Sequence, residues 1–260
     1  MQNKGLSGYW LKVIAVITML IDHTAATILE QMLMQLPEWG PIDNANWEQW
    51  YVLYLILRGI GRMAFPIYCY LLVEGFTHTR SKAKYALRLF VFALISEVPF
   101  DLALNGTAFD MSYNNVFFTL LIGLLTITAA DYIREKLMVR TDGDERVIWK
   151  DVLRIVLTMA VLLAGGAMAE LVLRCDYGAC GVLAIFALYV FRERRVMGFA
   201  LAVAILGVLS STLEFAALLM LIPIHYYDGT RGRQVKYFFY AFYPVHLLAL
   251  ALICYALGLG

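Results

Sequence analysis

Charge is scarce in this sequence. Lys, Arg, Asp and Glu make up 16% of its 260 residues and nearly cancel to a formal net charge of +1, which removes the basic balance that a nucleic-acid partner needs. Metal signatures are missing as well. The four histidines, His23, His78, His225 and His246, are scattered, and neither HExxH nor CxxC occurs. With no P-loop and no GxSxG elbow, the sequence offers no motif for nucleotide hydrolysis or α/β-hydrolase chemistry. No low-complexity linker divides the chain and no period of 20–50 residues repeats, so 1–260 reads as a single domain. The four cysteines say little about redox compartment. Cys69 and Cys254 lie in apolar runs and read as small core residues, while "RCDYGAC" puts Cys175 and Cys180 in one short loop. A disulfide between them is an option if that loop faces an oxidising side.

Apolar side chains, by contrast, make up 62% of the chain, and runs near the 20 residues needed to cross a bilayer recur along it. They fall at roughly 10–29, 51–75, 86–104, 115–133, 152–173, 178–191, 196–224 and 237–257. In hydrocarbon every backbone amide needs a partner, and the ten-residue alternation of barrel strands is absent, so the spans are expected to be helices. The first run lacks a small-residue cleavage site before the next hydrophilic loop and reads as a retained span. The expectation is an all-α, polytopic transmembrane bundle.

Loop charge orients it. Residues 30–50 carry Glu30, Glu38, Asp43 and Glu48 and no Lys or Arg, while "HTRSKAKYALR" carries Arg80, Lys82, Lys84 and Arg88 and no acid. The positive-inside rule then puts the N-terminus, 134–150, "RERR" and 228–236 in the cytoplasm and 30–50, 105–114 and 174–180 outside. Two inside loops flank 196–224, so that run must hold two short helices meeting near "SSTLE", or a re-entrant pair. About nine spans result.

Asp22 and His23 stand in the first span, in "LKVIAVITMLIDHTAATIL". A carboxylate at bilayer centre costs about 2.5–3.5 kcal/mol on insertion scales, so something must offset it. Pairing with Arg58 or Arg62 of the second span would suffice structurally. Lys12 and His23, however, are eleven residues apart, about three helical turns, so they share a face roughly 16 Å apart along the axis. A cation at the cytoplasmic mouth suits phosphate and an imidazole deep inside suits proton transfer. That separation is comparable to an outstretched phosphopantetheine arm.

The blocks "LKVIAVITMLIDH", "RGIGRMAFPIYCYLLVEGF", "HTRSKAKYALRLFVFALISEVPFDL", "NNVFFTLLIGLL", "CDYGACGVL" and "YYDGTRGRQVKYFFYAFYPVHLLAL", in order from about residue 6 to 250, resemble the TraX family, named for acetylation of the conjugative F pilin. The Lys12–His23 spacing also resembles the basic-residue, ten intervening, histidine motif of the wider transmembrane acyltransferase superfamily. There, cytosolic acetyl-CoA supplies acyl groups to acceptors at or across the membrane. The resemblance implies a multi-pass protein of the bacterial cytoplasmic membrane. Its donor would be acetyl-CoA and its acceptor a pilin-like N-terminus, a glycan or another extracytoplasmic amine or hydroxyl, with no metal.

In that reading His23 is the general base, oriented by Asp22 or another carboxylate. Lys12, Arg231, Arg233 and Lys236 are expected at the donor's phosphates, the last three from the glycine-rich basic loop "DGTRGR" and just beyond it. Arg58 and Arg62, one turn apart beside Gly59 and Gly61 and ahead of Pro66, need anions, for which Glu97, Asp101 and Asp22 are candidates. His246, beside Pro244 in the last span, reads either as a satisfied core residue or as part of the cavity. Glu74, Glu170, Asn114 and Asn115 read as structural or capping groups. Two rival functions remain open: a proton-coupled transporter, disfavoured by the lack of internal pseudo-symmetry, and a non-catalytic assembly factor for conjugation or pili.

Overall fold

The computed structural model describes residues 5–35, 41–137, 145–233 and 235–259. Among them lie nine helical rods: α1 Gly8–Gln35, α2 Trp47–His78, α3 Lys82–Leu104, α4 Val116–Leu137, α5 Glu145–Ala167 with a π-helical continuation Met168–Val172, α6 Gly178–Val190, α7 Arg195–Leu209, α8 Thr212–His225 and α9 Lys236–Ala256. No strand occurs among the described residues, and five of the rods are long and apolar enough to cross a membrane. The four cysteines are free thiols, so Cys175 and Cys180 are not joined.

Local sequence sets the breaks. In α2 the helix is interrupted at Arg62 and Met63. Pro66 follows in the first turn of its second half, where a missing N–H costs little, while the carbonyl of Arg62 four residues back loses its helical donor. In α1 a π-helical turn, Ala25–Leu29, begins two residues after His23, and the Thr27 hydroxyl donates to the His23 carbonyl at 2.7 Å. The expected turn near "SSTLE" is present. Helix α7 ends at Leu209, the Ser211 hydroxyl accepts from Leu213 N at 3.3 Å, and α8 starts as a 3-10 helix, Thr212–Met220.

Hydrogen bonds between loops sort the helix ends into two sets. The stretch before α1 pairs with the α8–α9 loop through Leu6 N to Tyr226 O and Gly8 N to Thr230 O, both 2.8 Å. Arg195 at the start of α7 donates to the carbonyl of Tyr227, and Arg231 donates to the carbonyl of His78 at 3.2 Å. One end therefore gathers the chain start and the basic loops after α2, α6 and α8. The other end gathers the loop before α4 and the α5–α6 connection, through Asn114 N to Arg174 O at 3.0 Å and Asp176 N to Asn114 O at 2.8 Å. The α7–α8 hairpin leaves and returns at the basic end.

Helix α6 lies at the centre, packed on α4, α5, α7 and the second half of α2; Ala184 and Ile185 share one fully buried core with Phe199, Ala202, Val203 and Leu206 of α7, while Val182 packs with Ile122, Leu162 and Ala169 of α4 and α5. Its 13 residues span about 20 Å, short of the roughly 30 Å hydrocarbon layer. The loop preceding it makes up the difference by folding into the bundle, where its backbone groups bond to Ala169, Asn114 and Thr119. Irregular backbone survives at depth where protein groups take up its hydrogen bonds.

The shared ends generate a labelling prediction. In a cysteine-free background, single cysteines at 80, 193 and 230 should label from one face of the membrane, the cytoplasmic one, and cysteines at 45 and 109 from the other. Labelling of 230 together with 45 would overturn the return of the α7–α8 hairpin.

Candidate functional site

One cavity of about 1000 Å³ runs through the bundle, at the upper end of the range for ligand pockets. At the basic end it is lined by Lys12, His78, Arg80, Arg88 and Arg231. Among the described residues none of Lys12, Arg80, Arg88 and Arg231 is in a salt bridge. Lys12 Nζ lies 5.7 Å from the Phe239 ring centroid, and the Arg88 guanidinium 5.5 Å from that of Tyr85. The nearby acids are already engaged: Glu74 accepts from the Tyr227 hydroxyl at 3.2 Å, and the hydroxyl and amide of Thr230 hold the Asp228 carboxyl below its ordinary range. The mouth is a surplus of cations beside aromatic rings, an arrangement that suits a phosphorylated, ring-bearing anion.

At depth the guanidiniums are paired with carboxylates. Asp22 bridges two guanidiniums, with Oδ2 2.8 Å from Arg58 Nη1 and Oδ1 3.4 Å from Arg62 Nη2. Arg62 reaches onward to Glu214 Oε1 at 3.3 Å and to the Tyr177 hydroxyl at 3.2 Å. The chain comes close because Gly61 has no side chain: a Cβ there would collide with the Asp22 carboxylate. Gly59, by contrast, faces open space and permits no close approach. Tyr177 takes a left-handed backbone, φ 64°, and stacks on Phe65 with centroids 3.7 Å apart. Asp176 beside it accepts from the Tyr113 hydroxyl at 2.7 Å.

His23 is oriented by a partner other than the expected one. Its Nδ1 lies 2.6 Å from His246 Nε2, and His246 Nδ1 lies 2.7 Å from the carbonyl of Phe242. A carbonyl only accepts, so His246 carries its proton on Nδ1 and offers a bare Nε2. His23 must then donate from Nδ1, which leaves its own Nε2 as a lone pair in a residue that lines the cavity. Asp22 is turned away, held by the arginines.

The structure thus brings Lys12, Asp22, His23, Arg58, Arg62 and Arg231 to one cavity and sets His246 directly behind it. Glu97 and Asp101 are not the arginines' partners. They lie on α3, which packs on α4 and α9, and Glu97 bonds to Asn115 while Asp101 accepts from Asp110 N at 2.8 Å. Arg233 is exposed and does not line the cavity, and Lys236 opens α9 with its side chain outside the described set. Sequence reasoning passed over Glu214, although an acid in an apolar hairpin is itself the signal. It also missed Tyr177 and Asp176, whose role depends on how far the loop descends.

These features define a class: a polytopic helical membrane protein whose buried charges converge on one internal cavity. The chain belongs to the TraX family. The model of that family, TraX protein, matches residues 7–254. The sequence is 29% identical over 280 residues, covering 98% of this chain and 97% of the relative, to the probable fimbrial assembly protein FimC, serogroup H1, of Dichelobacter nodosus. No solved structure matches.

The network's tightest point gives a test. Gly61→Ala should lower stability by about 1–3 kcal/mol, because the new methyl must push Asp22 off its arginines. Gly59→Ala should leave stability unchanged or slightly raised. Thermal unfolding of the two variants in detergent checks the contrast.

Proposed function

We propose that this protein is an integral-membrane acetyltransferase of the cytoplasmic membrane, taking the acetyl group of cytosolic acetyl-CoA to an amine or hydroxyl acceptor. One observation carries the reading: a single cavity joins cations that have no salt-bridge partner among the described residues to an imidazole whose Nε2 has no partner among them. Lys12, Arg231 and their neighbours would hold the donor's phosphates, and the three turns between Lys12 and His23 match the reach of its arm. His23 Nε2 takes the proton of the acceptor N–H or O–H as the acceptor atom bonds to the thioester carbon. The carbon–sulfur bond then breaks, its electron pair stays on sulfur, and the His23 imidazolium protonates the thiolate to free coenzyme A. His246 keeps His23 in the required tautomer throughout. It does for His23 what a carboxylate does in a triad, without adding charge to the membrane.

A second reading has one observation in its favour. The Dichelobacter nodosus relative is named an assembly protein, which would suit a scaffold for surface fibres. A scaffold needs no free imidazole, so one experiment separates the two.

Purified protein supplied with acetyl-CoA and a panel of primary amines and alcohols should release coenzyme A. His23→Ala should lower turnover at least about 100-fold while the protein stays folded. His246→Ala should lower kcat less, with His246→Gln recovering part of the loss, since an amide oxygen can accept from Nδ1. Lys12→Ala should raise KM for acetyl-CoA more than it lowers kcat, because phosphate attraction is equal in ground and transition states. Turnover that survives in His23→Ala would remove the enzyme reading.

A further inference from the structure

The basic end of the cavity gives the donor a way in, and a donor seated there fills it. The acceptor needs another entrance. At the opposite end Tyr113, in the loop before α4, and Asp176, in the connection before α6, both line the cavity, and the hydrogen bond between them, Tyr113 hydroxyl to Asp176 Oδ1 at 2.7 Å, is exposed. Tyr113 is itself 42% exposed. A bond that faces both cavity and surface marks the place where the wall is one side chain thick.

The loop there is firm and the side chain is not. Asn114 N donates to Arg174 O and Asp176 N to Asn114 O, so the two backbones are clamped together beside Tyr113. The Tyr113 ring rests only on Phe100 of α3, with centroids 5.9 Å apart, and on its bond to Asp176, and an exposed side chain changes rotamer within nanoseconds once such contacts part. A tyrosine of an ordinary interfacial belt sits among the headgroups; this one gives its hydroxyl to a carboxylate on the cavity wall. Behind the ring, Leu104 ends α3 and Val116 opens α4, both half-buried and both lining the cavity. Phe117 follows, its ring edge-on to Tyr243 at 5.1 Å, and Tyr243 is edge-on to His23 at 5.8 Å. One wall thus leads from the Tyr113 ring to the imidazole.

We infer that Tyr113 and Asp176 latch a second mouth of the cavity, at the end away from the basic loops, and that Tyr113 limits the size of the amine or alcohol acceptor that enters there. What passes the mouth rests on the acetyl-transfer reading; the mouth itself does not. With the bond made, the phenol ring covers the passage between Phe100 and Asp176. With the bond broken, the ring swings out while the clamped backbone stays, and the gap it leaves is about its own width. Donor and acceptor then never compete for one entrance, and coenzyme A and the acetylated product leave by opposite ends.

Access is measured without turnover. In a cysteine-free background Leu120→Cys, on the cavity wall one turn below Val116, is treated with a membrane-impermeant thiosulfonate bearing a trimethylammonium group, added to the membrane face on which positions 45 and 109 lie. Val116→Cys serves as a second reporter should the first fold poorly. The reagent reaches the thiol only through an open mouth, so the rate follows the open population. Tyr113→Phe keeps the stack and loses the bond, and should react about 10-fold faster than the parent. Tyr113→Ala should be faster still, and Asp176→Asn, whose amide oxygen still accepts, close to the parent. A cysteine at 109 should react equally in all four, and their thermal unfolding should agree, which separates opening from loss of fold. With acetyl-CoA as donor, Tyr113→Ala should raise kcat/KM for benzylamine relative to ethylamine and leave KM for acetyl-CoA unchanged. Equal labelling rates in the parent, Tyr113→Phe and Tyr113→Ala would overturn the latch and leave the acetyl-transfer reading standing. Faster labelling with an unchanged preference between the two amines would overturn the role of Tyr113 in acceptor choice. Faster labelling in a protein that releases no coenzyme A with any acceptor would uphold the mouth and remove the acetyl-transfer reading.

Discussion

A carboxylate held between two guanidiniums at membrane depth is the constraint around which this bundle is arranged. Asp22 alone in hydrocarbon would cost several kcal/mol, and so would either arginine alone. Paired, and with Glu214 added on the far side of Arg62, they become a neutral knot tying α1, α2 and α8. The glycine at 61 and the interruption of α2 follow from that need, because a continuous helix with a side chain there would keep the charges apart. The knot also fixes the neighbouring imidazole. Once Asp22 is committed to the arginines it is unavailable to His23, and the second histidine, 223 positions along the chain, takes its place.

The same economy governs α6. A helix too short for the bilayer would usually sit badly, yet here its brevity draws Asp176 and Tyr177 down to where Arg62 needs an oxygen. Gly178, with φ 39° and with Glu170 where a Cβ would stand, lets the chain turn sharply from the descending loop into the helix. Packing at the centre of the fold and composition of the site are in this sense one decision.

The helices were legible because hydrocarbon leaves the backbone no alternative, and apolar length is a property of sequence alone. The turn at Ser210–Ser211 was legible from the charge of the loops on either side, and the shared face of Lys12 and His23 from helical period. Partner choice was not. Arg58 and Arg62 faced several acids of plausible depth, and which one they meet depends on the rotation of α3 about its own axis, which Glu97 and Asp101 cannot reveal from spacing. The pairing of His23 with His246 joins the first helix to the last, and no local pattern encodes a contact over that distance. Family resemblance covered nearly the whole chain, but it did not distinguish the residue that bonds the His23 imidazole from the one that neutralises the neighbouring arginines.

The first and last helices meet at the imidazole pair, and this gives the protein a timetable. As the chain emerges from the ribosome, α1 and α2 enter the membrane as a hairpin in which Asp22 and Arg58 already cancel. Arg62 waits some 150 residues for Glu214, and His23 waits longer still for the ring that fixes its tautomer. The cavity wall is finished only when α9 arrives. An inserted chain can therefore have its first buried charges neutralised well before the imidazole pair exists, because the two rings stand 223 positions apart.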